Sequence, residues 1–152
     1  MKKVCVTLAF LAFFASHSIA YEVNTINFYG FSYHTGMSAD ERSKLNETNT
    51  GLSYGRSLLD GNSRYMVDVG FFKNSYYDRA TWVGGTYTYT LTNLMGGVDV
   101  GVNVRHWWTE HNTYPIKPFQ HYGVISINPK SYMKINMLVR KSGPILYLSF
   151  DY

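Results

Sequence analysis

Val98, Val100, Val102 and Val104 alternate without a break with Asp99, Gly101, Asn103 and Arg105. Successive side chains of a strand point to opposite faces, so this run makes a strand with one aliphatic face and one polar face. In a soluble sandwich the charged face would meet water. In a membrane-spanning barrel the valines would meet lipid and the polar set would line the lumen.

Period-two alternation dominates the rest of the chain, and helical periodicity is almost absent. It predicts eight strands at about 24–35, 49–58, 64–73, 79–92, 97–108, 119–128, 131–140 and 144–152. Asp60 and Gly61 form a hairpin signal, and the stretches from Asn93 to Gly96 and from Asn128 to Ser131 carry turn chemistry. These short links alternate with connections at 36–48, 74–78, 109–118 and 141–143, two of them long and polar. An even strand number, with short turns at one end and longer loops at the other, is the organisation of bacterial outer-membrane barrels, and it leaves both termini in the periplasm. Closure removes sheet edges and satisfies every backbone group in lipid. The chain ends on Leu146, Leu148, Phe150 and Tyr152 along one face, which resembles the signal read by the outer-membrane assembly machinery. The expected fold is an all-β, eight-stranded antiparallel up-and-down barrel of outer-membrane type. The competing fold is a soluble lipocalin-like barrel in the periplasm.

Residues 1–20 read as a signal peptide. Lys2 and Lys3 precede an apolar run from Val4 to Phe14, and Ser18, Ile19 and Ala20 supply the small residues of a cleavage site. Residues 21–152 then form one barrel domain in an exported protein. Cys5 falls in the leader, so neither disulfides nor thiolate metal sites hold the mature chain together. The formal charge of +4 includes the two leader lysines, and no basic run interleaves with the aromatics, which excludes a nucleic-acid partner. Aromatic content of 17%, with 14 Tyr, suits a membrane–water interface. The expected partners are therefore membrane lipids, for a monomeric barrel.

The stretch Phe72, Lys73, Asn74 and Ser75 follows the third strand, with Gly84 nine positions after the serine. Ser32, Tyr33 and His34 close the first strand, a polar loop with Asp40, Glu41, Arg42 and Lys44 follows, and Gly51, Leu52 and Ser53 open the second. Over about residues 30 to 91 this order resembles the PagP family of outer-membrane lipid A palmitoyltransferases. That family places a catalytic His late in strand one and an F-K-D-S motif after strand three. The resemblance implies acyl transfer from phospholipid to lipid A, with His34, Asn74 and Ser75 as catalytic residues and Lys73, Gly84 and Thr86 binding substrate. Three departures stand out: the family's acidic residue is Asn74, its amphipathic helix before strand one has no room, and Thr86 stands where the family has a glycine at the floor of its acyl pocket.

On chemical grounds acyl transfer needs a base for the acceptor hydroxyl and stabilisation of the tetrahedral oxyanion. His34, in the register of Ser32 and Gly30, is the expected lumen-facing base. An amide can orient an imidazole but supplies no charge; the Asp-to-Asn change in a serine protease triad costs about 10⁴ in turnover. Asp40, Asp78 or Glu110 would be candidates to replace the carboxylate. The alternative reading of Lys73, Asn74 and Ser75 is hairpin-turn chemistry alone, in a catalytically inactive barrel that alters the cell surface as an adhesin or receptor-masking protein. A soluble lipid-binding barrel is a third reading. His106, His111 and His121 match no metal-ligand spacing and read as loop histidines. Trp82, Trp107 and Trp108 read as interfacial anchors, and Asp68, Asp99, Arg105 and Lys134 as paired lumen residues. No nucleophile elbow, phosphate-binding glycine loop or zinc motif occurs, and no cofactor or metal is expected.

Overall fold

The computed structural model describes residues 21–92, 97–109 and 118–152. The leader, Cys5, the turn from Asn93 to Gly96, Glu110 and His111 lie outside the described residues. Eight strands form one closed antiparallel barrel in sequence order. They are β1 (Tyr21–Ser32), β2 (Gly51–Asp60), β3 (Ser63–Lys73), β4 (Arg79–Thr92), β5 (Val98–Thr109), β6 (Phe119–Lys130), β7 (Met133–Val139) and β8 (Ile145–Asp151), with one short helix, α1 (Ala39–Arg42), between β1 and β2. Antiparallel pairing of β1 with β8, from Thr25 opposite Asp151 to Ser32 opposite Ile145, closes the cylinder. The β2–β3, β4–β5 and β6–β7 links share an end with both described chain ends. We call this the turn end and the opposite one the loop end.

The valines of β5 face outward while Asp99, Asn103 and Arg105 face the lumen, as the alternation requires. Around the wall Phe28, Val69, Phe71, Val102, Ile127 and Leu148 are between 40% and 59% exposed. Thr25, Asn27, Ser57, Asp68, Asp99, Asn103 and Arg105 are at most 2% exposed in the interior. A water-soluble barrel would forfeit roughly 1.5–3 kcal/mol of burial for each outward aliphatic or aromatic side chain, so this polar-inside, apolar-outside arrangement is that of a transmembrane barrel. A lipocalin-like barrel needs the reverse pattern and an apolar interior cavity, and the lumen here is occupied by buried polar and charged side chains together with an aromatic cluster around Arg105.

The polar interior is stacked in layers. Near the turn end Arg64 bonds Asp151 through two nitrogens, at 2.6 and 2.8 Å, and reaches Thr25 and Ser57 as well. Lys134 pairs with Asp99 at 2.9 Å, and Thr90 and Asn128 donate to the same carboxylate. Asparagine and serine side chains then link neighbouring strands on the lumen face, Asn27 to Ser53 and Ser149, and Asn136 to Ser126 and Ser149. Next comes Arg105, 3.5 Å from Asp68 and set over the rings of Tyr29, Trp82 and Trp107. Trp82 donates its indole N–H to the same Asp68 carboxylate at 2.9 Å. The expected internal pairing of the four charged lumen residues is therefore present. The expected role of the tryptophans is corrected: Trp82 and Trp107 are 1% and 6% exposed in the lumen cluster, and only Trp108, 52% exposed, faces outward.

Every strand but β4 differs from its expected range, by one to three residues at a boundary, and two of these shifts have a visible cause. β6 runs through Pro129 to Lys130, because a register shift between Ile127 and Lys130 accommodates the proline without requiring its missing N–H. β1 ends at Ser32, and a bulge between Tyr29 and Phe31 interrupts its pairing with β8. Before the bulge the lumen set is Val23, Thr25, Asn27 and Tyr29; after it Ser32 turns inward, while Gly30 is exposed. Gly30 therefore does not share the register of His34. One extra residue has flipped the parity, and that flip is what aims Ser32 and His34 at the interior.

Candidate functional site

The β3–β4 link is built around one side chain. The Asn74 amide oxygen accepts the backbone N–H of Tyr76 at 2.9 Å and of Asp78 at 3.0 Å. The Asn74 backbone N–H donates to the Asp78 carbonyl at 2.8 Å, and Tyr77 takes a positive φ of 66°. Two N–H donors require an acceptor, so the amide's orientation is fixed by its partners. Its NH₂ group is then buried with no partner among the described residues. Asparagine suits this turn because its short amide mimics a backbone acceptor.

Asn46, Glu47 and Asn49, which carry no motif, hold the β1–β2 loop against this turn or lie within the part so held. Asn46 donates twice: its backbone N–H goes to the Ser75 carbonyl at 2.8 Å and its amide to the Asn74 carbonyl at 3.1 Å. Asn49 donates to the Lys73 carbonyl at 3.0 Å and accepts a short bond from the Ser32 hydroxyl. Between them lies Glu47. Nothing in a single sequence separates these from ordinary polar loop residues; their burial comes from contacts with the end of β3.

His34 lies two residues beyond β1, on backbone that keeps pairing with the β7–β8 link. Tyr33 donates to the Pro144 carbonyl at 3.0 Å and Thr35 to the Ser142 carbonyl at 3.1 Å. The imidazole Nδ1 stands 4.0 Å from a Glu47 carboxylate oxygen, and the His34 side chain is 15% exposed. Neither of these two atoms has a hydrogen-bond partner among the described residues. Burial holds His34 below the ordinary histidine range, and the Glu47 charge partly opposes that shift. Among the described residues the carboxylate within 4.0 Å of Nδ1 is that of Glu47, not Asp40 or Asp78. Asp40 is exposed on α1, and Glu110 lies outside the described residues.

His34, Asn74 and Ser75 line one cavity of about 380 Å³ at the loop end. Phe72, Trp107 and Tyr122 also line it, and Phe72 and Trp107 pack edge-on at 5.1 Å. On the far wall Arg140 donates to Gln120 at 2.5 Å, and the Tyr122 hydroxyl bonds the same Gln120 oxygen. The volume lies in the range of small-molecule pockets, with a titratable base, an amide donor and a hydroxyl-bearing residue around it.

The other three expected binding residues are placed apart. Lys73 points outward with its ammonium 5.0 Å over the Tyr77 ring. Gly84 faces the lumen beside the buried ion pair, where a Cβ would stand 2.8 Å from Arg105 Cγ. Thr86 accepts the Asn103 amide at 2.7 Å and borders a separate small cavity of about 20 Å³. Between the two cavities sit Arg105 and its aromatic neighbours. His106 packs on Trp108 and Phe119, ring centroids 4.3 and 4.5 Å away. No cluster of three metal-ligating side chains occurs among the described residues.

No protein-family model matches the chain, and no curated protein matches it. Among solved structures, the crystal structure of Neisserial surface protein A (NspA) is similar over 86% of this chain and 96% of that one, at 9% identity and a TM-score of 0.46.

Proposed function

We propose that this chain is an outer-membrane barrel whose loop end carries an acyl-transfer site acting on phospholipid or lipid A acyl chains. The observation that carries the reading is the meeting of His34, the unpartnered Asn74 amide and Ser75 around one cavity. With its short links on the periplasmic side, the loop end faces outward, where lipid A lies.

In this reading neutral His34 takes the proton of an acceptor hydroxyl as its oxygen attacks the carbonyl carbon of an acyl ester. The Asn74 side-chain N–H and the Ser75 hydroxyl donate to the oxyanion. The intermediate then collapses, the donor's ester oxygen leaves, and the imidazolium returns the proton to it. Lipid reaches the site from the rim, since Arg105 and its rings fill the lumen beneath the cavity.

That same filling favours the second reading, a catalytically inactive surface barrel, because Arg105 and its rings close the lumen to a deeply inserted acyl chain. Mass spectrometry of lipid A and phospholipids from cells expressing the wild type, His34→Ala and Ser75→Ala separates the two. Acyl transfer predicts an added acyl chain that both variants lose. An unchanged pattern, with heat-modifiable wild-type protein in the outer-membrane fraction, would leave the inactive barrel; recovery in the periplasmic fraction would reject the membrane placement itself.

A further inference from the structure

We propose that Glu47 is the charge partner of His34, a positioning residue that holds the imidazole through Nδ1 and stabilises the imidazolium formed when Nε2 takes a proton. The inference rests on the reading of His34 as a base and supplies the carboxylate that Asn74 cannot provide.

Four observations support it. The carboxylate oxygen is 4.0 Å from Nδ1, and both atoms are buried without hydrogen-bond partners among the described residues. Buried polar atoms left this way are costly, and each is the other's complement: one N–H donor, one acceptor. Catalytic hydrogen bonds are commonly long before substrate arrives, so closing this gap needs only a small side-chain adjustment. Glu47 is also held in place by its surroundings. Asn46 is bonded to the β3–β4 turn, and the Ser32 backbone N–H donates to the Glu47 carbonyl at 2.8 Å. Finally, among the described residues the ionisable side chains that line the cavity besides His34 are Arg140 from the β7–β8 link and the phenols Tyr33, Tyr76 and Tyr122. None of these carries a carboxylate.

An Nδ1–H donated to Glu47 leaves Nε2 unprotonated, the tautomer a base requires. The carboxylate then lowers the energy of the cation formed at the transition state, as the buried acid does in a serine protease triad. Because the imidazole would be neutral at rest, the pair matters most when the proton arrives.

The test uses the full barrel refolded in phospholipid bicelles, with His34 ring resonances assigned by comparison with His34→Ala. Titration of wild type, Glu47→Gln and Glu47→Asp is expected to show the His34 midpoint moving to lower pH in Glu47→Gln and largely restored in Glu47→Asp. With phospholipid donor, kcat is expected to fall by about 10²–10⁴ in Glu47→Gln with KM little changed. A His34 midpoint that ignores Glu47→Gln in a folded barrel would overturn the pairing. A midpoint that moves, in wild-type protein that transfers no acyl group, upholds the pairing and overturns the acyl-transfer reading instead.

Discussion

A Cβ placed on Gly143 would stand 1.6 Å from the carbonyl oxygen of Tyr33, and Gly143 has a φ of +125°. The β7–β8 link therefore seats the backbone that carries His34 only because this residue has no side chain. Gly143→Ala is expected to cost about 1–3 kcal/mol of local strain, displacing the His34 segment while the eight-strand closure survives. Heat-modifiable migration should be retained and acyl transfer lost. Full activity in this variant would show that His34 does not depend on the contact.

The Arg105–Asp68 pair lies at 1% and 0% side-chain exposure, so its charges have no solvent to fall back on. Asp68→Asn keeps an acceptor for the Trp82 indole but leaves a buried guanidinium uncompensated. It is expected to destabilise the barrel by about 3–5 kcal/mol. Asp68→Asn with Arg105→Met removes both charges and should recover most of that loss. Urea unfolding in lipid vesicles measures both, and equal loss in single and double variants would show that packing, not charge, is what matters there.

His34 gives the site a pH dependence with a definite sign. Burial lowers its folded pKa below the ordinary value, against the pull of Glu47. Between the lowered value and about 6.5 the unfolded chain binds more protons, so stability rises with pH through that window and is flat above it. Activity through a neutral imidazole should likewise fall on the acid side, with its midpoint below about 6.5. The stability slope should vanish in His34→Ala. A midpoint at or above about 6.5 for the acid limb of kcat/KM would assign that limb to another group.

Strand positions were legible because alternation is local: β4 lies at the expected residues, and β3 differs by one. The expectation of interfacial tryptophans followed residue type and was wrong for Trp82 and Trp107; for Trp107 parity pointed inward, since it follows Arg105 and Asn103 at intervals of two. His34 was expected to face the lumen and does, but not in the expected register with Gly30. That change of register depends on a bulge set by pairing with β8, more than a hundred residues away in sequence. Glu47 was hidden for the same kind of reason, because Asn46 and Asn49 place it through bonds to the end of β3 and the turn that follows. Contacts between loops leave no period in the sequence.

Asn74→Asp separates two roles for one position. The resemblance to a His–Asp–Ser site predicts that restoring the acid raises activity. The geometry predicts the reverse. In this variant one carboxylate oxygen would take over the N–H groups of Tyr76 and Asp78 as a charge-assisted acceptor, so the turn should keep or gain stability. The second oxygen would replace the unpartnered NH₂, removing a donor to the oxyanion and adding a like charge beside it. Turnover is expected to fall by about 10²–10³, the usual cost of losing one oxyanion donor, with thermal stability unchanged or slightly higher. Asn74→Ala should instead loosen the turn by about 1–3 kcal/mol, because the two backbone donors lose their acceptor. Initial rates with phospholipid donor, set beside unfolding midpoints for both variants, decide the matter: a gain of activity in Asn74→Asp would place that carboxylate in support of His34 and end the oxyanion role of the amide.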